Sequence, residues 1–325
     1  MPSPADPSST GSLRVGVVGC GRHAMTAIHP NLTAAGMVVG AVCTRSTETA
    51  RAAAARHGGV PAFVDPVAML DTVALDGIVV VVPPSQYGAV LSAAIARRVP
   101  VFADKPGAAT AEEATDLAAA AAEAEVPVVI GYQKRFAPAY RQAAEIVRAE
   151  DFGVVTMATF TWAVGAMPLD LDSWLAENPV HHLDLARFLL GELGEVVVVR
   201  GTAGQGHSLV VAARTAAGAP VALHLTTTGS WQQRNEVVEI FGEGHAVVVD
   251  NVDTCTWRPP ERPERVWRPN YTVPLAHNLT AATMGFAGEL AHFRALVLGE
   301  VEPVSNLASA AATLRLAGRV AAGVA

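Results

Sequence analysis

Cysteine is scarce in this chain, with Cys20, Cys43 and Cys255 the only three in 325 residues. An odd count with no close pair argues against a disulfide framework and a structural zinc site, and it fits a reducing compartment, so a cytoplasmic protein is expected. Charge is sparse too, at 16% of residues, and 23 basic against 30 acidic side chains leave a net charge of −7. Such a chain has no electrostatic reason to bind nucleic acid or an anionic membrane. Long apolar runs are missing: stretches such as residues 78–82 and 196–199 are far too short to cross a bilayer. Residues 1–12 lack the basic start and apolar stretch of a signal peptide and read as a disordered tail. The partners left are a small-molecule substrate and further copies of the chain.

Apolar residues, by contrast, make up 51% of the chain. That supports a sizeable core and, at this length, about two domains. Up to residue 130, short apolar runs alternate with helix signals. Residues 13–18, 37–43, 77–82, 99–103 and 126–130 read as strands buried on both faces. Helices are predicted over 24–35, over 47–57 with Ser46 as cap, and over 110–124, where Thr110 and Glu113 form a capping box. This alternation is the signature of a doubly wound parallel sheet, a Rossmann-type α/β domain over residues 13–130. After Gly131 the pattern changes. A helix over 137–149 precedes strand candidates at 154–163, 196–202, 208–214, 220–228, 235–241 and 246–251, interrupted by one helix at 179–190 and closed by helices at 285–298 and 305–322. Residues 131–325 therefore read as an α+β domain for substrate binding and oligomerisation, built on a mostly antiparallel open sheet. A sheet face that few helices cover predicts a homodimer or homotetramer.

Gly19-Cys20-Gly21-Arg22-His23-Ala24 follows the first strand and opens the first helix. Gly19 permits a tight turn, Gly21 lets the backbone approach a pyrophosphate, and Ala24 allows close helix–strand packing; the helix N-terminus then faces the phosphates. At the end of the second strand no acidic residue stands ready for the ribose hydroxyls of NAD. Thr44-Arg45-Ser46 offers instead a guanidinium and two hydroxyls for the extra phosphate of NADP, so NADP(H) is favoured over NAD(H).

Two further groups carry chemistry. Asp104-Lys105-Pro106 follows a parallel strand, at the carboxyl edge where open α/β sheets bind ligands, and Lys105 offers an ammonium to a substrate oxygen. In Glu177-Asn178-Pro179-Val180-His181-His182-Leu183-Asp184, Asn178 suits an N-cap and Pro179 the first helical position. His181 then lies in a first helical turn, where the dipole disfavours the imidazolium and leaves a ring able to accept a proton. Asp184, three residues on, shares that face and is placed to orient the ring. His182 faces elsewhere and reads as structural. No zinc-type spacing supports a metal site here, and none is expected. Trp162 and Trp174 offer a flat apolar wall for a substrate, with core packing the competing reading.

Together these residues resemble the glucose-fructose oxidoreductase and inositol dehydrogenase family (Gfo/Idh/MocA). Gly19-Cys20-Gly21, Pro83-Pro84-Ser85, Asp104-Lys105-Pro106, the segment from Gly131 to Phe136 with Pro138, and His181-His182-Leu183-Asp184 carry the resemblance, which runs from about residue 13 to the C-terminus. It implies that Lys105 contacts the reacting oxygen beside the nicotinamide and that His181 is the general acid/base. It also implies that Arg22, His23, Pro83, Pro84, Tyr87, Asp104 and Gln133 line the cofactor with Gly19, Cys20 and Gly21. The family acts mostly on sugars, cyclitols and related polyols or ketones. Three departures stand out. Asp104 replaces a Glu, Tyr87 stands where the family usually has His, and Glu177 stands one turn before His181 where many members have Asp, without the Gly-rich stretch that usually precedes it. Glu177 joins Lys105, His181 and Asp184 as a candidate catalytic residue on that ground. The expected activity is hydride transfer at a secondary alcohol or ketone. The alternatives are a redox-assisted lyase or hydrolase with retained cofactor, an imine reductase, and a non-catalytic NAD(P)-binding regulator.

Overall fold

Runs of Val, Ile and Ala with no polar interruption build the first sheet, because only a strand covered on both faces tolerates them. The computed structural model describes residues 11–201, 205–233, 235–270 and 279–324; of the expected tail, residues 1–10 lie outside the described residues. Six strands, β1 Leu13–Val18, β2 Met37–Cys43, β3 Ala62–Phe63, β4 Gly77–Val80, β5 Val101–Asp104 and β6 Val128–Gly131, form a sheet of order β3-β2-β1-β4-β5-β6. All its pairings are parallel. The strand order reverses between β1 and β4, the place where such sheets open a ligand crevice. Helices α1 Thr47–Arg56, α2 Pro66–Thr72, α3 Tyr87–Ala96 and α4 Ala111–Glu123 make the crossovers from β2 onward. Ser46, Asp65 and Thr110 each cap a helix by accepting from a backbone amide of its first turn. Glu113 reaches back one residue further than a capping box requires, to the amide of Ala109 at 2.6 Å.

The second sheet has eight strands: β7 Met157–Ala163, β8 Leu193–Arg200, β9 Ser208–Thr215, β10 Pro220–Thr226, β11 Asn235–Phe241, β12 Ala246–Asp250, β13 Thr254–Arg258 and β14 Arg265–Trp267. Their order is β14-β13-β12-β11-β7-β10-β9-β8. Only β7 and β10 run parallel; the other pairs are antiparallel. Strict alternation puts Phe160, Val211, Leu223, Val238, Ile240 and Val247 on one buried face. Against it pack α5 Pro138–Arg148 and α7 Val180–Leu190, through Tyr140, Ala143, Leu183 and Leu189. On the opposite face, Val197 and Val199 of β8 stay 61% and 63% exposed, beside their β9 partners Ala212 and Val210.

Two features differ from expectation. A second helix, α6 Leu171–Glu177, precedes α7, capped by Asp170, whose side chain accepts from the Ser173 amide at 2.8 Å. Asn178 therefore ends α6 and does not cap α7. The C-terminal helices α9 Phe286–Val297 and α10 Leu307–Ala322, which follow α8 Leu279–Met284, return to the first sheet. Leu290, Phe293 and Leu296 pack with Val15, Val17, Phe102 and Val129 on one face, and Leu307, Ala310 and Ala311 cover the other. Residues far beyond β6 thus complete the core of the parallel sheet, each large apolar side chain contributing roughly 1.5–3 kcal/mol. No helix among the described residues is long and apolar enough to cross a membrane.

Candidate active site

The turn after β1 is shaped for a dinucleotide. Gly19 has φ +90°, its amide donates to the Cys43 carbonyl at 2.9 Å, and a Cβ there would lie 2.0 Å from the Val81 carbonyl oxygen. No larger residue fits. At Gly21 the reverse holds: no atom lies within 4 Å of where a Cβ would stand, so the backbone faces open space that a pyrophosphate would fill. Ala24 is fully buried behind the turn, while Arg22 and His23 are exposed on its outer side, with Cys20 half-buried between the glycines. The predicted α-helix over 24–35 is replaced by a π-helical turn, Ala24–Ile28, and a 3-10 turn, His29–Asn31. Pro30 donates no hydrogen bond there, and Thr26 and Asn31 bond instead to the carbonyls of Arg22 and Ala27 at 2.9 and 2.7 Å. The cradle therefore rests on its glycines rather than on the dipole of a long helix.

At the end of β2, Thr44 donates to the Ser46 carbonyl at 3.1 Å and meets the Thr49 hydroxyl at 2.6 Å, while Ser46 caps α1. Arg45, between them, is exposed. Pro83 and Pro84 follow the end of β4 at the surface of the same edge. Tyr87 does not line it: the ring is 0% exposed, and its hydroxyl points at the Lys105 carbonyl at 3.5 Å. A tyrosine opening α3 has its ring drawn into the apolar core beneath the loop, so it supports the Lys105 turn from below. Gln133 is likewise buried. Asp104 is buried too. Burial pushes its carboxyl up, partly opposed by His23, whose Nε2 lies 3.5 Å away, and by Lys105.

Lys105 leaves the end of β5 and crosses to the second half of the chain; its peptide bond to Pro106 is cis. Its Nζ donates to the backbone carbonyl of Glu177 at 2.8 Å. The residue expected to supply a carboxylate thus supplies a carbonyl, at the end of α6, while Glu177 itself is exposed. One turn further on, His181 stands at the start of α7, partly exposed, with a buried Nδ1 that has no hydrogen-bonding partner among the described residues. Burial first, then the Lys105 and Lys134 ammonium groups, hold His181 well below the usual histidine range; Glu236 opposes them. That setting disfavours the imidazolium form.

Asp184 does not serve His181. It is 1% exposed, and both its oxygens are taken: Arg135 donates Nε and Nη2 at 2.7 and 2.6 Å, and Thr313 of α10 donates its hydroxyl at 2.9 Å. The guanidinium lies close enough to bind both carboxylate oxygens, which outcompetes an imidazole on the same helix. Trp174 is fully buried and packs in the core, its ring tilted against His207 with centroids 5.3 Å apart. Trp162 is partly exposed and lies over His182 at 5.0 Å. Lys134, Arg135, Tyr140 and Glu236, to which the sequence assigned no role, form the polar floor of this corner. One signal was present: in Asn235-Glu236-Val237-Val238-Glu239-Ile240, Glu236 takes the phase of Val238 and Ile240, a charge on the buried side of a strand. Among the described residues, no group of three or more His, Cys, Asp or Glu side chains is arranged to hold a metal ion.

Residues 13–132 match the model of the GFO_IDH_MocA family, described as an oxidoreductase family with an NAD-binding Rossmann fold. The chain is 31% identical to inositol 2-dehydrogenase 4 of Saccharopolyspora erythraea over 201 residues, 59% of this chain and 58% of that protein. It is 28% identical to scyllo-inositol 2-dehydrogenase (NAD(+)) of Bacillus subtilis over 142 residues, 42% of this chain and 41% of that one. The aligned stretch therefore spans less than two thirds of either relative's length. Among solved structures, a dehydrogenase from Chromobacterium violaceum superposes with a TM-score of 0.85 at 23% identity, covering 96% of this chain and 95% of the other. That likeness extends the shared fold across both sheets. Over residues 13–132, the chain is thus similar to the Gfo/Idh/MocA family of oxidoreductases.

Proposed function

We propose that the chain is an NAD(P)-dependent oxidoreductase acting on a secondary alcohol or ketone of a sugar, cyclitol or related polyol. The observation that carries this reading is the bridge from Lys105 to the Glu177 carbonyl, which sets an ammonium beside a neutral, buried-edge histidine on the carboxyl side of a dinucleotide-type turn. The similarity to two proteins named as inositol dehydrogenases supports a polyol substrate. A bound nicotinamide supplies or accepts the hydride. Gly19, Gly21, Arg22 and His23 would hold its pyrophosphate side, and Thr44, Arg45 and Ser46 its adenosine end. Exposed Arg45 with two flanking hydroxyls favours NADP(H) over NAD(H).

Lys105 donates to the substrate oxygen, its direction fixed by the Glu177 carbonyl. In alcohol oxidation His181, kept neutral, accepts the hydroxyl proton; in ketone reduction it returns one. A positioned acid or base contributes roughly a hundred- to ten-thousand-fold. Lys105→Ala and His181→Ala should each lower turnover by about that factor, and the double variant should lose far less than the product of the two. Steady-state assays at the nicotinamide absorbance band, over a panel of polyols and ketosugars, test this. Full activity in either single variant defeats the assignment. The exposed valines of β8 and β9 favour self-association as a homodimer or homotetramer through the open sheet face. Sedimentation showing only monomer at micromolar concentration would reject that assembly.

A further inference from the structure

Lys105, Lys134 and Arg135 bring three cations to the corner where α6 gives way to α7, and two of them are matched. Lys134, from the segment after β6, forms an ion pair with Glu236 of β11, whose Oε1 also accepts from the Tyr140 hydroxyl at 2.8 Å. Arg135 binds both oxygens of Asp184 at 2.7 and 2.6 Å. All four of these charged side chains are buried. Lys105 is held differently. Its Nζ donates to the Glu177 carbonyl at 2.8 Å, and among the described residues it forms no ion pair. The acids around it are engaged or turned elsewhere. Asp184 and Glu236 have their own cations, and Glu177 is exposed. Asp104, the preceding residue, is buried, with His23 Nε2 at 3.5 Å from its Oδ2, and burial pushes its carboxyl up, which weakens it as an anion.

We propose that the unmatched Lys105 ammonium selects an anionic substrate, a polyhydroxy acid whose carboxylate adjoins the reacting carbinol, over a neutral polyol of the same shape. The inference rests on the reading of Lys105 as the group that meets the reacting oxygen, and it narrows the substrate class given there. A carbonyl is a dipole and leaves the charge of the ammonium uncompensated. A substrate that fills the crevice displaces water from that charge, and a desolvated cation without an anion is costly. A substrate carboxylate removes that cost, whereas a hydroxyl removes only part of it. The donor count agrees. An ammonium has three N–H donors, and the Glu177 carbonyl takes one. The others suit the reacting oxygen and a carboxylate oxygen on the neighbouring carbon. A single point charge matches a carboxylate better than a phosphate dianion, and the guanidinium that could grip a phosphate with two parallel bonds, Arg135, is committed to Asp184.

The test compares substrates that differ in charge and little else: gluconate against glucitol and gluconamide, and xylonate against xylitol and xylonamide, with the other configurations of each series. Initial rates are followed at the nicotinamide absorbance band, using the full-length protein and saturating oxidised nucleotide. The acids should exceed their neutral partners in kcat/KM by about ten- to a hundredfold, and the advantage should shrink as ionic strength rises. Calorimetry on the nucleotide-loaded protein measures binding of the same compounds, and in Lys105→Met the acids should lose their advantage. Should that variant fail to fold, the amide comparison in the wild type decides without it. Alditols or amides that equal or surpass the acids overturn the proposal, and their turnover leaves the polyol dehydrogenase reading standing. If neither class is oxidised, that reading fails, and the calorimetric ranking of acid against neutral partner alone upholds or overturns the charge preference.

Discussion

At the carboxyl edge of the parallel sheet, functional side chains reach solvent and find partners close by in sequence: Ser46 bonds Thr49, and Thr44 bonds Ser46. In the corner between α7 and β11 the polar groups are shut away and find partners far along the chain. Arg135 meets Asp184 across 49 positions, Tyr140 meets Glu236 across 96, and Lys134 meets Glu236 across 102. The first region is a turn shaped by glycines and open to solvent; the second is a set of charges that complete one another. The difference predicts where substitutions hurt. The edge should tolerate change in stability and lose function, and the corner should lose stability.

The largest expected effect on that comparison comes from Asp184→Ala. It leaves the Arg135 guanidinium buried beside Tyr132 and Phe188 without its anion. Removing one partner of a buried pair costs about 3–5 kcal/mol. Denaturant unfolding should show that loss, while Arg45→Ala at the exposed edge should change stability by less than about 0.5 kcal/mol. Equal effects at the two sites would erase the distinction between edge and corner.

The same contrast explains what could be read from the sequence. The parallel sheet, its glycine turn and the cap at Ser46 were legible because each depends on residues within a few positions. The alternating strands of the second sheet were legible from their period of two, though β13 and β14 were not recognised, the short, polar-flanked β14 giving little pattern to read. Partner choice was not legible. Asp184 lies three residues from His181, the right spacing for one helical face, yet Arg135 and Thr313 arrive from elsewhere and take it. Glu177 shows the same limit: a side chain was expected, and a backbone carbonyl does the holding. Nor does spacing reveal that α9 and α10 come back to the first sheet, since their apolar faces suit either half.

A smaller effect is expected where the two regions meet. Glu289, in the first turn of α9, is 0% exposed, and neither carboxyl oxygen has a hydrogen-bonding partner among the described residues. Its Oε2 would lie 3.3 Å from a Cβ at Gly131, the β6 partner of Asp104. Burial, then the Asp104 charge, raises the Glu289 carboxyl well above the usual range. For an acid raised in the folded state, the stability it contributes is present at low pH and is lost as pH climbs through the folded value. Glu289→Gln is neutral at every pH, so it should gain stability relative to wild type as pH rises from 4 toward 8. Thermal unfolding across that range checks the sign; a difference that is flat with pH means that Glu289 is not held protonated.

The smallest expected effect lies entirely at the edge and concerns which cofactor it prefers. Arg45 follows Thr44, whose hydroxyl is tied to Ser46 and Thr49, so the loop that presents the guanidinium is already ordered. An exposed guanidinium on an ordered loop can grip a ribose phosphate with two parallel hydrogen bonds, and charge-assisted bonds of this kind contribute about 1.5–3 kcal/mol. NADPH should therefore bind more tightly than NADH, by about ten- to a hundredfold. Arg45→Asp substitutes an acceptor for ribose hydroxyls and repels the phosphate, so it should reverse the order with little change in folding stability. Fluorescence titration of both nucleotides against wild type and variant measures it. If the variant keeps the wild-type order, the phosphate is not read at Arg45. If NADH already binds more tightly to the wild type, the missing acid at the end of β2 does not decide the cofactor, and discrimination must come from the turn around Arg22 and His23.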